Sequence, residues 1–430
     1  MDLRRRSRIE RTDEDLVFEL INEHLAPVLR AASETDIQDT AAVAIQELLK
    51  LNGCQAVLTG RRVGGGGGSR TSSSRSAKSA TSNLNQIEGT TAPLTIESGE
   101  QLWKRFTDDV KEIITPCLTS KYRLRIPGSA MAPGPLFKSG MPFRRWMYQW
   151  IRRLISEASG RRAEIFTACG AVLRYDMGTA LYLLPYLVLN VVCDGTENAR
   201  ADVTEEILTV LKTRDEDFNN GNSTRTLTGP SEVSTQTVFT LLDSLGQWLD
   251  DCKQGGIVTT NHSSSTTTTT TPSKGTRGSA KAEAQLETTR IARRLENVSK
   301  LLAAIPKQSL AGASYRCQAY ARALLYFESH VREKSGALNP AAEKSGTFTD
   351  NDVTFLLDIY SGLEEPDGLS GISRLRKCST LQDQILINEK AGNWGEALTC
   401  CEQALQMEPN SVTRHLGVLD CLLNMGHLQV

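Results

Sequence analysis

The chain has 430 residues, enough for about three domains and a large core, and 49 Lys and Arg against 50 Asp and Glu leave a net charge of -1. That balance excludes a chain that is basic throughout, of the kind that coats nucleic acid. Ten cysteines stand singly except for Cys400 and Cys401, with no C-x-x-C pair, which excludes a disulfide framework and reads as small apolar side chains in a reducing compartment.

The five histidines are scattered, and a set built from Cys400, Cys401 and His415 lacks a fourth ligand at a usable spacing, so no metal site is predicted. Met1 to Asp15 is too charged for a signal peptide. The longest apolar run, Ala180 to Cys193, is interrupted by Pro185 and Asn190 and falls short of the roughly 20 residues a bilayer span needs. It reads as a buried helix. The expectation is a soluble intracellular protein, nuclear or cytosolic, with no membrane contact.

In chain order, Leu16, Leu20, Ile21, Leu25, Val28 and Leu29 keep a helical period that Pro27 kinks without ending. Thr35 with Gln38 predicts a capping box for a second helix, striped by Ile37, Ala41, Ala44, Ile45, Leu48 and Leu49 and closed at Gly53. Two antiparallel helices joined by a short turn are the unit of a HEAT-like solenoid. From Ala56 to about Gly99 the pattern gives way to Gly64 to Gly68 and serine-rich sequence, a disordered insert. Order resumes at Gln101 with a stripe of Leu102, Trp103, Phe106, Val110, Ile113 and Ile114 that Pro116 breaks. A Gly/Pro-containing loop then runs to Pro142.

Helices are predicted next at Phe143 to Ala158, Ala163 to Tyr175, Thr179 to Cys193, Ala201 to Lys212 and Ser234 to Asp250. A second insert, Lys253 to Ala282, carries six threonines from Thr266 to Thr271. Beyond it the periodicity predicts helices at Leu286 to Ala304, Leu310 to Glu333, Asp350 to Gly362, Gly368 to Lys377, Thr380 to Ala391, Trp394 to Met407 and Ser411 to Met425. No stretch keeps a period-two alternation, so no sheet is read. The final helix has no polar capping element, which suggests a piece of a longer solenoid.

The search for chemistry is negative. Gly64 to Gly68 has no preceding strand and is not a phosphate loop; no HRD, DFG, G-x-S-x-G or H-E-x-x-H pattern occurs, and Glu364 and Glu365 sit before Pro366 in a turn. Asp217, Phe218 and Asn219 fail as a metal-binding tripeptide at the glycine. The Thr235-Gln236 dipeptide has the form of a phosphoacceptor, but its place near a helix start suggests a cap. Between Lys121 and Arg162, Lys121, Arg123, Arg125, Lys138, Arg144, Arg145, Arg152, Arg153, Arg161 and Arg162 face the single acid Glu157. With Trp146, Tyr148 and Trp150 between them, they form either a phosphate- and base-contacting surface or a solenoid helix whose arginines pair elsewhere while the tryptophans fill the core.

The sharpest pattern is Gly392, Trp394, Ala397, Cys401, Ala404 and Pro409, the spacing of the second half of a tetratricopeptide-type repeat. Small residues sit where two helices approach, the large ones fill the groove and proline ends the pair. Tyr320, Ala323, Phe327 and His330 repeat those intervals.

These segments resemble the ATR-type checkpoint kinases of the phosphatidylinositol-3-kinase-related family. The likeness rests on HLAPVLRAASETDIQDTAAVAIQELL (His24 to Leu49), QLWKRF (Gln101 to Phe106), YLLPYLV (Tyr182 to Val188), STQTVFTLLDSLGQW (Ser234 to Trp248), SYRCQAYARALLYFESHV (Ser314 to Val331), EEPDGLSGIS (Glu364 to Ser373) and the hairpin at Trp394. The resemblance implies an all-α helical-repeat solenoid, with HEAT-like repeats over 1–55 and 101–252 and the start of a FAT domain with tetratricopeptide-like hairpins over 286–430; the inserts over 56–100 and 253–285, read as disordered from their composition, depart from the family's pattern. It further implies a nuclear scaffold that braces the kinase domain of its parent chain, self-associates, and works with an ATRIP-type subunit at RPA-coated single-stranded DNA. ATP and a divalent metal would enter only through a kinase domain outside these residues. Catalytic, cofactor-binding and metal residues are expected to be absent from the segment, as is direct sequence-specific nucleic-acid binding; Arg144, Arg145, Arg152 and Arg153 are its possible basic contact surface. The alternative is a free-standing tetratricopeptide-type adaptor that binds a peptide, although Gln382 and Leu386 stand where the carboxylate-clamp members carry Lys and Asn.

Overall fold

A computed structural model describes residues 12–54, 96–119, 134–213, 229–262, 277–335, 348–373, 375 and 380–427. Among these residues every regular element is helical. The chain divides into two compact units. The first comprises Met1–Pro133, Met147–Arg200 and Ser244–Val298, and the second Gly134–Trp146, Ala201–Asp243 and Ser299–Val430.

The first unit opens with α1 (Asp13–Glu19), a π turn (Leu20–Leu25) and α2 (Ala26–Ala31) in unbroken succession. Pro27 has no N–H for the helical ladder. One residue earlier, the Ala26 N–H reaches five residues back to the Ile21 carbonyl, so the chain absorbs the proline by widening one turn. Leu16, Leu20, Ile21 and Leu25 are fully buried along this stretch. In α3 (Thr35–Leu51) the predicted capping box is absent: Glu34 is the N-cap and no side chain caps it. Gln38 instead donates its amide to the Ala32 carbonyl at 2.6 Å, which ties the turn from α2 rather than the helix end. Gly53, at φ +74°, closes α3 with its N–H on the Lys50 carbonyl at 3.0 Å.

The stripe at Leu102 to Ile114 is two helices, α4 (Ile96–Arg105) and α5 (Asp108–Thr119), and Pro116 lies inside α5 instead of ending it. Phe106, in the break, is buried against Phe18 at 5.2 Å between ring centroids. Arg105 lies over Phe18 at 4.3 Å and pairs with Asp15 at 2.9 Å. Burial of Phe106 thus sets the bend that periodicity alone runs through. α6 (Phe143–Glu157) follows, and then a single predicted helix is again divided, into α7 (Gly160–Cys169) and a 3-10 turn at Val172–Arg174.

The apolar run is α8 (Met177–Asp194), capped by the Asp176 carboxylate, which accepts from the Thr179 N–H at 2.7 Å. By length and composition α8 could cross a membrane, yet it is mostly buried inside the protein. Its polar interruption has a job: Asn190 accepts from the Ser159 N–H at 2.9 Å and donates to the Ser159 carbonyl at 3.2 Å.

The helix predicted to end at Asp250 continues, as α10 (Pro230–His262), and α11 (Arg277–Ala304) begins before Ala282. Both therefore extend into the second insert, as α4 extends into the first; the rest of the inserts, 56–95 and 263–276, lies outside the described residues. Thr235 is not a cap. It sits within α10, almost fully buried, and donates to the Ser231 carbonyl at 2.9 Å.

The second unit includes α9 (Glu197–Lys212) from Ala201 onward and a series of hairpins. The stretch Leu310 to Glu333 is two helices, α12 (Lys307–Arg316) and α13 (Tyr320–Ser335). They part at Gln318, which takes a left-handed φ of 58°. No glycine or proline announces that turn. α14 (Asp350–Leu363) and α16 (Leu381–Lys390) begin in full capping boxes, Thr349 with Asp352 and Thr380 with Asp383. Between them α15 starts at Pro366 and stops at Ser373, short of Lys377. α17 (Trp394–Met407) and α18 (Val412–Asn424) complete the described chain.

Candidate interaction surface

The two copies of the repeat pattern fold alike. Trp394 is the first residue of α17 and Tyr320 the first of α13. Two residues before each aromatic stands a left-handed residue, Gly392 at φ 74° and Gln318 at φ 58°. At the first, the Gly392 N–H reaches the Glu389 carbonyl at 3.2 Å and the Asn393 N–H reaches Asn388 at 2.9 Å. At the second, Gln318 reaches Tyr315 at 2.9 Å and Ala319 reaches Ser314 at 3.0 Å. Both are Schellman closures, which satisfy the last carbonyls of one helix and aim the chain into the next. Ala397 and Ala323 are fully buried, and Cys401 and Phe327 nearly so. The fourth position diverges, because Ala404 is buried whereas His330 is half-exposed. Trp394 is itself half-buried, packed on the cluster of Ile385, Ala397, Cys401, Ala404 and Cys421. Pro409 is exposed two residues past the end of α17, its carbonyl 2.9 Å from the His415 ring.

Cys401 meets Cys421 and Glu389 instead of Cys400 and His415. The three donor atoms lie within 4.8 Å of one another, with the sulfurs 3.9 Å apart. Burial pushes the Cys401 thiol up to about 12, and burial followed by the charge of Asp420 raises the Glu389 carboxyl. At neutral pH the thiols are protonated core side chains.

A feature the sequence reading passed over lies on α18. One face, through Cys421 and Val418, packs on α17. The other carries Val412, Leu416, Leu419 and Leu423, exposed at 72%, 53%, 40% and 54%, and Met407 at the end of α17 is exposed at 78%. Steps of four, three and four put the α18 residues on one stripe. α18 thus leaves one apolar stripe open to solvent, and that stripe was legible in the residue spacing.

Among the described residues of the basic stretch, the tryptophans are not offered for base stacking. Trp146 and Trp150 are buried. Arg162 pairs with Asp13 at 2.9 Å, Arg161 donates to Asn52 at 3.1 Å, and Arg152 lies over the Tyr148 ring at 5.7 Å. Arg144 and Arg145 are exposed and Arg152 and Arg153 half-buried, while Lys121, Arg123 and Arg125 fall outside the described residues.

The family model for the M-HEAT region of serine/threonine-protein kinase ATR matches residues 133–388, crossing the boundary at 285 and 286 that the sequence reading drew between HEAT-like and FAT segments. Serine/threonine-protein kinase ATR of Oryza sativa subsp. japonica is 51% identical over 424 residues, which cover 99% of this chain and 14% of that protein. ATR of Arabidopsis thaliana is 50% identical, covering 99% and 15%, and protein kinase rad3 of Schizosaccharomyces pombe is 26% identical, covering 98% and 16%. The chain thus spans about one seventh of the length of these curated relatives. With a family match over more than half of its residues and about half-identity along nearly all of them, the chain belongs to the ATR family of serine/threonine-protein kinases.

Proposed function

We propose that this chain is a non-catalytic scaffold segment of a nuclear checkpoint kinase that answers DNA damage and replication stress. Its helical stack transmits position to the kinase domain of the parent chain and offers surfaces to protein partners. The observation that carries this reading is the open stripe of Val412, Leu416, Leu419 and Leu423 on α18, a face suited to the next helical hairpin of a longer array. In this reading the hairpins toward Val430 begin the FAT region. Self-association, an ATRIP-type subunit, ATP and its metal belong to the parent assembly, and nucleic acid is reached through partners.

A chimera tests it. In the rice kinase, the 51% identical segment is replaced by this chain, with and without Leu416→Glu and Leu423→Glu. The plain chimera is expected to keep phosphotransfer to a TQ or SQ peptide and the doubly substituted one to lose it; equal activity of both would sink the proposal. The isolated chain, given ATP and the same peptide, is expected to transfer nothing. The adaptor reading is weaker because Gln382, at a clamp position, already accepts from Arg414 at 2.6 Å.

A further inference from the structure

Four arginines converge on one cavity of the first unit. At the carboxyl end of α8, a space of about 200 Å³ is lined by Cys193, Asp194, Arg200, Arg290, Arg293 and Arg294. Arg290, Arg293 and Arg294 stand at i, i+3 and i+4 on α11 and so share a face. Arg294 grips Asp194 with two parallel N–H donors, Nε to Oδ1 at 2.9 Å and Nη2 to Oδ2 at 2.6 Å. Arg290 approaches the same carboxylate at 3.9 Å. Arg200 donates to the Gly195 carbonyl at 2.8 Å, which orients its guanidinium at the cavity wall.

Packing accounts for part of this. Arg294 on Asp194 ties α11 to the negative end of the α8 dipole. One cation would serve that purpose. Four guanidinium groups and one carboxylate line this small space, and like charges brought so close favour the arrival of an anion. Arg290 is two-thirds exposed, with 66% of its side chain in solvent, and Arg293 is exposed as well. The site is therefore reachable.

We propose that this cavity binds the phosphate of a phosphoserine- or phosphothreonine-bearing peptide. A phosphate monoester carries close to two negative charges at neutral pH and three acceptor oxygens, which suit forked guanidinium donors converging from one helix face. The volume has room for roughly half a dozen waters, the scale of one phosphate on a short side chain. A nucleic-acid backbone spreads its charge along a line and is bound by a row of cations; here three of the four arginines lie within five consecutive residues, Arg290 to Arg294.

The test titrates the 430-residue chain into a fluorescent peptide with one phosphoserine among neutral residues, and into its unphosphorylated twin, at about 50 mM and about 200 mM salt. The phosphopeptide is expected to bind at least about 10-fold more tightly than its twin, to weaken with salt, and to be displaced by inorganic phosphate. Arg293→Gln, and separately Arg290→Gln, should each weaken it at least about 10-fold with the helical circular dichroism unchanged. Asp194→Asn separates recognition from structure: removing the competing carboxylate should tighten phosphopeptide binding while lowering the melting temperature, whereas a purely structural clamp would change the melt alone. Equal binding of the two peptides, or indifference to both arginine substitutions, overturns the proposal. So does tighter binding of a short single-stranded DNA that falls in parallel with Arg293→Gln, which would make the cavity a nucleic-acid contact.

Discussion

Trp146 donates its indole N–H to the carboxylate of Glu206 at 2.7 Å, although the two stand 60 positions apart, and both side chains are essentially removed from solvent. The same carboxylate accepts the backbone N–H groups of Leu136 at 2.7 Å and Phe137 at 2.9 Å. Glu206 therefore pins the segment before α6 onto α9 with three donors aimed at one charge. A buried carboxylate so fully hydrogen-bonded is stable where it is and costly to disturb.

Glu206→Gln puts an amide N–H₂ against one of those N–H groups. It is expected to destabilise the fold by about 2–4 kcal/mol, measured by urea unfolding. Trp146→Phe keeps most of the ring and loses one donor, at about 1–2 kcal/mol. Because the two share one bond, the double variant should cost less than the sum. Additive losses would show that the bond does not hold in solution.

Gln318 occupies the left-handed place that Gly392 fills in the parallel hairpin. A residue with a Cβ pays about 1 kcal/mol there and glycine does not. Gln318→Gly is expected to leave stability unchanged or raise it by up to about 1 kcal/mol, the lost strain being partly offset by a more flexible unfolded chain. Gly392→Gln should destabilise by about 1 kcal/mol. Thermal melts of the two variants decide it, and a loss in the first would mean that Gln318 is held by side-chain contacts beyond its backbone role.

What could be read from the residues alone follows the range of the forces involved. α17 was placed at its observed ends because its signals are local: Gly392 ahead of it, an apolar stripe within it and Pro409 behind. α8 was legible for the same reason. The division at Gln318 was hidden because a glutamine in the left-handed region leaves no compositional trace. The bend at Phe106 depends on Phe18, 88 positions away, and the role of Glu206 on a loop about 70 positions away; neither distance is visible to periodicity. The π turn at Leu20–Leu25 was foreshadowed by Pro27 only as a kink. Of the interaction surface, the α18 stripe was present in the spacing of Val412, Leu416, Leu419 and Leu423, but its exposure became clear only once Cys421 took the inner face.

The hairpin of α17 and α18 separates inner from outer positions. Ala404, 3% exposed, faces the helix contact, so Ala404→Trp overpacks it and should cost about 1–3 kcal/mol or more. Trp394→Ala removes a half-buried ring and should cost about 2–4 kcal/mol, toward the lower part of the range for fully buried rings. Leu416→Glu with Leu423→Glu, on the outer stripe, should change the stability of the isolated chain by no more than about 0.5 kcal/mol each, measured by urea unfolding. A large drop in stability from the outer pair would mean that the stripe is covered within the chain itself.

Gly362 marks a close approach in the other hairpin series. A Cβ there would stand 2.6 Å from the Tyr320 ring, inside any tolerable contact. The ring is wedged in turn against Tyr315, at 5.6 Å between centroids, so it has little room to retreat. Gly362→Ala is expected to destabilise by about 1–3 kcal/mol in spite of alanine's better helix propensity. Combining it with Tyr320→Ala should recover part of that loss. A Gly362→Ala melt at or above that of the parent would show that Tyr320 lies elsewhere.

The cysteines give a graded probe of which helices stay closed. Burial raises the thiols of Cys169, Cys193 and Cys401 to about 12 and those of Cys54, Cys117 and Cys317 to about 11. An alkylating reagent attacks the thiolate. At about pH 8 a thiol at 12 is ionised about one part in ten thousand, and the deeply buried ones are also shielded from the reagent. Among the cysteines of the described residues, Cys252 and Cys400 are half-exposed and within reach of the reagent, so they should be modified before Cys169, which is fully enclosed on α7 and reacts only after the first unit opens. Peptide mass spectrometry over time, in rising urea, should show Cys169 labelling in step with loss of the helical signal. If Cys169 reacts in the native protein as fast as Cys400, then α7 does not pack as described, and the pairing of Arg161 with Asn52 and Arg162 with Asp13 that anchors its start falls with it.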